Sequence, residues 1–403
     1  MVTVTGNIAL DDAATGTQTG TVGEPSVAAS STTVFVTGNW YASRSADRGA
    51  TWTPLDPFTE FPTQRGIFCC DQQVLYLSGP RLWVWLLQYS RSGSSNIYRL
   101  AVSRTAASGT WHWWDVAPAD LDPAWTDVWF DFPDLAASAT NLWISFNQYD
   151  AGNAWKRAGV IRYPIDQLAS ATPITRRHWV TTAIGSLRLV NGAGTSMWFC
   201  GTDQARRSLR LFEWPDDATG VTAWTIPVSP WAQDGYISLG PGGAPWLGRC
   251  DDRVTGAWRA GGRLGFLWTS GRIPGRPQPF IRAVTLDEQT LAVVAEPDLW
   301  SQNGAWAYPA AAPSKKGRLG LSAFYGGPTH PAHAVGVLDA QANTWTTKIT
   351  ATSTHGPVAG KWGDYVVCRA HPIRTTSWVA SGFTLQGGTD RRNIEPRVVI
   401  FRP

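Results

Sequence analysis

Four short stretches hold the side chains most able to do chemistry. They are "GEPSV" with Glu24, "CCDQQV" with Asp71, "FDFPDLA" with Asp131 and Asp134, and "WGDYVV" with Asp364 and Tyr365. Asp252 in "CDDRV" and Tyr308 in "WAYPA" follow the same pattern, an acid or a phenol at the start of an apolar alternating run. Carboxyls gathered at one place can divide into a general acid and a base or nucleophile, and can hold a cation. Arg65, Arg188, Arg253 and Arg369 stand near the same starts, where a guanidinium could clamp a carboxylate through paired hydrogen bonds. His355, in "STHGPVAGKWGDY", is close in sequence to Asp364 and Tyr365; beside an Arg-neutralised carboxylate, such a His and Tyr could run β-elimination on a uronic acid. The catalytic candidates are therefore Asp71, Asp134, Asp364, Tyr365, Tyr308 and His355. The binding candidates are Glu24, Arg65, Asp131, Arg188, Arg253, Trp362 and Arg369. The competing reading is architectural: acids at strand starts accept hydrogen bonds from loop amides, and arginines there close salt bridges.

These residues can meet only if the fold carries distant segments to one place, and the composition points to a fold that does. The chain of 403 residues has 24 Trp, 40 Gly and 27 Pro but only 16% charged residues, a balance suited to many short strands joined by turns. One segment type recurs seven times: "TVFVTGN", "RLWVWLLQY", "NLWISFNQY", "SMWFCGTD", "RLGFLWTS", "RLGLSAFYGG" and "TSWVASGFT". Successive starts lie about 48 to 67 residues apart, the spacing of a four-stranded propeller blade with generous loops. A second strand-like run follows each, forming a hairpin, and a third, outer run follows the first six. The seventh unit lacks an outer run because the chain stops at Pro403, while "VTVTGNIAL" near the N-terminus has no other partner. The expectation is an all-β, seven-bladed β-propeller forming one domain over residues 1–403, its ring closed by the N-terminal strand pairing with the last blade.

With the blades placed, Ser45, Asp47, Gly49, Thr51 and Trp52 spell SxDxGxTW in the turn between the third and fourth strands of blade one. There an Asp can accept hydrogen bonds from turn amides, Gly supplies positive φ, and Trp packs between strands. "DAQANTW" from Asp339 and "SRTAASGTW" from Ser103 are degenerate copies. The motif resembles the Asp-box, or BNR repeat, of the sialidase-like propellers. That resemblance implies a turn on the face opposite the active site and a carbohydrate-active role. Two features depart from it: seven blades instead of six, and an Arg-Ile-Pro triplet at Arg272 to Pro274 in blade five, not ahead of the first Asp-box.

Turns after strands one and three of a blade share one face, and connections after strands two and four share the other. Those on the second face are long, among them "SPWAQDGYISLGPGGAPWLGRC" and "ATSTHGPVAGKWGDY", and long loops on a rigid scaffold are where binding residues gather. Loop aromatics there, Trp40, Trp125, Trp129, Trp155, Trp231, Trp306 and Trp362, could stack on sugar rings or pack between blades. The expected function is a glycoside hydrolase acting on an acidic or complex glycan; the alternatives are a non-catalytic glycan- or protein-binding propeller and a polysaccharide lyase using His355 and Tyr365.

A net charge of +4 and only five Lys argue against a nucleic-acid partner, and no apolar run reaches the length of a membrane span. The opening "MVTVTGNIAL" lacks the basic and apolar regions of a leader peptide, so the protein is expected to be secreted or surface-bound with its leader absent, or else cytoplasmic, and monomeric. The five cysteines lack CxxC spacing and His330 and His333 lack a third ligand, so no metal residues are assigned. A calcium or other ion in the central channel is the one cofactor that a carboxylate ring would admit. Adjacent Cys69 and Cys70 are read as small hydrophobes, since a bond between them would need a special turn.

Overall fold

The computed structural model describes residues 1–10, 22–105, 109–387 and 394–403. Among the described residues seven four-stranded antiparallel sheets are arranged as blades, the first six each a meander in chain order from its innermost strand outward. The inner strands are Ser26–Ala29, Phe68–Leu77, Val128–Ala137, Arg188–Leu189, Val254–Ala260, Ala305–Pro313 and Cys368–Ala370. Blade seven is completed by Thr3–Ala9, which pairs antiparallel with Ile394–Arg402 from Thr3 opposite Arg402 to Ala9 opposite Arg397. The ring therefore closes through the N-terminal strand, as the missing seventh outer run requires.

The alternation in the recurring runs becomes two-sided burial, because each blade packs between two others. Leu82–Tyr89 and Trp378–Leu385 are buried along their whole length. Tryptophan supplies much of this packing: Trp143 meets Trp214 edge-on at 5.3 Å between blades three and four, and Trp378 stacks on Phe401 at 5.1 Å within blade seven. The guanidinium of Arg162 lies 4.7 Å over the Trp214 ring. Outer strands show the opposite character: Thr344–Thr352 is exposed or half-buried throughout. Among the described residues no helix is long and apolar enough to cross a membrane.

Three inner strands begin earlier than their alternation suggests. Those of blades two, three and six extend through "FCCD", "VWFD" and "AWAY", with register breaks between Phe68 and Gln72, between Asp131 and Asp134, and between Ala307 and Ala310. A bulge hides in the sequence because it interrupts the period-two pattern, yet it keeps the strand paired and re-aims its side chains.

On the opposite face, the SxDxGxTW turn is tied by its own side chains. Ser45 Oγ donates to Asp47 Oδ1 at 2.7 Å, and Thr51 donates to Asp47 through its amide at 2.8 Å and its hydroxyl at 2.6 Å. Gly49 adopts φ 93° and its amide donates to Ser45 Oγ at 2.7 Å. These hydrogen bonds, that from the Thr51 hydroxyl first, hold the Asp47 carboxyl below its ordinary range. The copy from Ser103 to Trp111 runs through residues 106–108, outside the described residues.

Candidate active site

The bulges bring the acids together. Blade two's bulge contains Cys69 and Cys70, which form a disulfide between adjacent residues, and Asp71 follows directly. In blades three and six, Phe132 and Tyr308 adopt φ 54° and 55°. This conformation costs a non-glycine residue about 1–3 kcal/mol and persists where the surroundings enforce it. Glu24 and Asp364 arrive from the two sides of the ring closure. Gly23 bridges Gly363 in parallel, and its amide donates to the Trp362 carbonyl at 3.2 Å. A Cβ on Gly363 would lie 2.1 Å from the Gly23 carbonyl oxygen, so only glycine allows the approach that sets Glu24 beside Asp364.

The result is a patch of five carboxyls at the channel mouth: Glu24, Asp71, Asp131, Asp251 and Asp364. Glu24 is buried beneath the others and accepts a hydrogen bond from Asn39 Nδ2 at 2.9 Å. Burial, then the charges of Asp71 and Asp364, push its carboxyl well above the ordinary range, and it shares a hydrogen bond with Asp71. Burial first and Asp131 second push Asp71 up to about 7, against the hydrogen bond from Glu24. Two carboxyls that cannot both ionise in so dry a place hold one proton between them near neutral pH. Burial also raises Asp131, which accepts from Gln88 Nε2 at 2.9 Å.

Two arginines balance part of this charge. Arg249 forks onto Asp364 at 3.0 and 2.7 Å, a hydrogen-bonded pair that holds the guanidinium proton more firmly than usual. Burial works against the charge on Arg253, but Asp251 and Asp364 outweigh it; Nε of Arg253 lies 2.8 Å from Asp251 Oδ1, and its guanidinium sits 4.4 Å over the Phe132 ring. Around the carboxyls, the Trp362 Nε1 is buried with no hydrogen-bond partner among the described residues, and the buried hydroxyls of Tyr308 and Tyr365 lie close to Cys250 and to the Gln73 amide. Burial drives both phenols well above their usual range, Tyr365 further by Asp71 and Glu24. Such groups remain protonated donors, ready for a polar ligand. Half-exposed Trp129 stacks on Tyr149 at 5.2 Å, forming an aromatic wall next to Asp131.

The sequence candidates thus divide. Glu24, Asp71, Asp131, Asp364, Arg253, Tyr308 and Tyr365 meet at the mouth. Asp134 does not, because the bulge separates it from Asp131: it pairs with Arg188 at 3.3 Å and accepts from the Leu189 amide at 3.0 Å, deeper in the channel. Arg369, in the middle of the short inner strand of blade seven, lies near that pair. Arg65 is exposed and lies 3.8 Å from Asp120. His355 hydrogen-bonds to Thr354 Oγ1 at 2.7 Å and stacks on His330 at 6.3 Å, surroundings different from those of Tyr365. Asp252 accepts from Trp231 Nε1 at 2.8 Å, and Trp362 is a fully buried ring stacked on Phe383 at 4.6 Å. Trp125, Trp231 and Trp306 are buried too, which leaves Trp40, Trp129 and Trp155 half-exposed.

Arg249, Asp251, Gln73, Gln88 and Tyr149 were not anticipated. The dense charge of "GRCDDR" in a chain so poor in charge was the signal for the first two. The glutamines carry no such mark, since mid-strand amides read as ordinary polar positions. Among the described residues, no group of three or more His, Cys, Asp and Glu side chains is arranged to hold a metal ion.

No family model matches the chain, and no curated protein does. Solved structures do. The GH93 α-L-arabinofuranosidase of Fusarium graminearum, in complex with arabinobiose, superposes with a TM-score of 0.51 at 10% identity, over 99% of this chain and 98% of that one. The α-L-arabinanase of Penicillium chrysogenum gives 0.48 at 12% identity over 99% and 98%. Trypanosoma rangeli sialidase gives 0.45 at 12% identity over 83% of this chain and 59% of that one. At these identities the likeness is one of fold.

Proposed function

We propose that the protein is a glycoside hydrolase that cleaves a neutral oligosaccharide at the acid-lined mouth of its channel. The observation that carries this reading is the Glu24–Asp71 pair, two carboxyls sharing a proton where a dry wall raises both. Held near neutral pH, that proton is suited to protonating the departing glycosidic oxygen. Asp131 is the second carboxylate. It is held by neutral donors, Gln88 and the Phe132 amide, and carries no arginine fork, so it is the carboxylate placed to attack the sugar or to activate water, whereas both oxygens of Asp364 are taken by Arg249. Asp364 and its two arginines then set the field around the pair, and Trp129, stacked on Tyr149 with the Arg91 guanidinium 4.9 Å over its ring, lines the wall beside Asp131.

Charge favours a neutral substrate over an acidic one. Five carboxyls outnumber Arg249 and Arg253, and both arginines are already engaged, so an acidic sugar would meet like charge. The fold shared with the Fusarium arabinofuranosidase, solved with arabinobiose, a sugar without acidic groups, supports arabinose-containing oligosaccharides as the first substrates to try. The SxDxGxTW turn, on the face away from the acids, supports a place among the sialidase-like Asp-box propellers.

The test is release of reducing sugar from neutral, uronate-containing and sialylated glycans and aryl glycosides. Hydrolysis of neutral substrates is expected, with Glu24→Gln and Asp71→Asn each lowering kcat by about 10²–10⁴-fold. Turnover that survives both substitutions, or binding across the panel with no turnover, would overturn the reading.

A further inference from the structure

The far end of the channel has the opposite electrostatic character from the acid-lined mouth. Arg369 lies in the short inner strand of blade seven, Cys368–Ala370, and is only 9% exposed. Among the described residues its one side-chain hydrogen bond is a long contact from Nη1 to Asn191 Oδ1, 3.4 Å, and its Nε is buried without a partner. The nearby carboxylate, Asp134, is already committed to Arg188 at 3.3 Å and to the Leu189 amide at 3.0 Å. One acid thus faces two guanidinium groups, and one positive charge is left over in a buried place.

That charge borders open space. A cavity of about 210 Å³ is lined by Tyr76, Ser78, Asn191, Lys315 and Arg369, among others. A second, of about 310 Å³, shares Tyr76, Ser78, Asn191 and Arg369 with it. No carboxylate lines either cavity among the described residues. Lys315, exposed on the rim, donates to the Pro372 carbonyl, which leaves its charge uncompensated as well. A guanidinium taken out of water without a counter-charge is costly, and burial already loosens the Arg369 proton, lowering the group to about 10, with Asp134 opposing and Arg188 adding to the fall. It remains charged at neutral pH, so the group that would complement it is an anion.

We propose that this end of the channel is a binding site for an oxyanion, a carboxylate or a phosphate, held by the Arg369 guanidinium with Lys315 at the rim. Guanidinium suits this chemistry because its planar fork matches two oxygens, and a cavity walled by protein strengthens each contact. Polar Tyr76, Ser78 and Asn191 line the same space and supply neutral hydrogen-bonding groups. The site is independent of the hydrolase reading, since it lies at the other end of the channel and uses none of the acids at the mouth.

Calorimetric titration of the whole protein with sodium phosphate and, separately, sodium acetate tests the proposal, together with thermal melts across the same series. Saturable binding of either anion and a Tm that climbs with its concentration are expected. Binding of both marks a carboxylate-type site and binding of phosphate alone a phosphate site; each supports the assignment. Arg369→Gln should weaken the affinity at least about tenfold. Lys315→Gln, on the exposed rim where folding is not at stake, should weaken it several-fold. Failure of the wild-type protein to bind either anion saturably, or binding that survives both substitutions, overturns the proposal.

Discussion

Replacing Asp71 with Asn should make the protein less active and, at alkaline pH, more stable relative to wild type than it is at acid pH. The carboxyl is pushed from its ordinary value of 3.8 up to about 7, first by burial and then by Asp131. At ~1.4 kcal/mol per pH unit that difference is roughly 4 kcal/mol. Because Asp71 reaches solvent at the channel mouth, screening trims it to about 2–4 kcal/mol. The direction follows from proton counting. Below pH ~4 folded and unfolded chains both hold the proton, and the raised value has no effect. As pH climbs, the unfolded chain releases its proton while the folded chain keeps it, so stability falls until the folded carboxyl ionises near 7 and then levels off. Asn has nearly the same shape, still accepts the Glu24 proton in a hydrogen bond, and cannot ionise. The stability of Asp71→Asn minus that of wild type should therefore grow by about 2–4 kcal/mol between pH 4 and pH 8. Urea unfolding followed by tryptophan fluorescence at four or five pH values would measure it, with equal m-values showing that the denatured states match. A stability difference that stays flat or shrinks with rising pH would refute the buried-pair argument and the proton assignment built on it.

Other consequences of the site can be checked in parallel. If Asp71 is the member of the pair that delivers the proton, kcat for a neutral glycan should fall as pH rises through about 7, and a profile flat from pH 5 to 9 would contradict that role. Joint Cys69→Ser and Cys70→Ser substitution opens the closed bulge from which Asp71 projects; a displacement of about 1 Å there should cost roughly 10²-fold in kcat with unchanged far-ultraviolet circular dichroism, and full activity would show that the strand alone positions the acid. Asp47→Ala removes the acceptor of three hydrogen bonds in the opposite-face turn, so Tm should drop while kcat/KM stays constant; a loss of kcat/KM in the folded variant would place function on the wrong face. Asp134→Ala strands Arg188 in the channel without a counter-charge, and should destabilise by about 3–5 kcal/mol in urea titrations.

Much of the architecture is written along the chain. Seven aromatic, β-branched runs at a blade's spacing, each with its hairpin partner, and an orphan strand at the N-terminus specify the ring and its closure, because strand pairing between chain neighbours depends on local alternation and turn chemistry. The face that carries the acids follows as well: antiparallel meanders send the connections after strands two and four to one side, and "SRSADRGATW" to the other. Glu24, Asp71, Asp131 and Asp364 could be named as neighbours on that ground alone.

Their chemistry could not. Asp131 and Asp134 are three residues apart and look equivalent in "FDFPD", yet a bulge with left-handed Phe132 sends one to the acid cluster and the other to Arg188. Glu24 and Asp364 are 340 positions apart in the chain, and two glycine backbones in contact at the ring seam make them partners. Arg249, from a long loop, takes up both oxygens of Asp364, whereas Asp131 is held by the neutral donors Gln88 and the Phe132 amide and carries no arginine fork. Local sequence sets which face a side chain points from. Whether it meets a charge, a proton or an empty cavity depends on desolvation and on groups hundreds of residues away, and those exist only once the ring has closed.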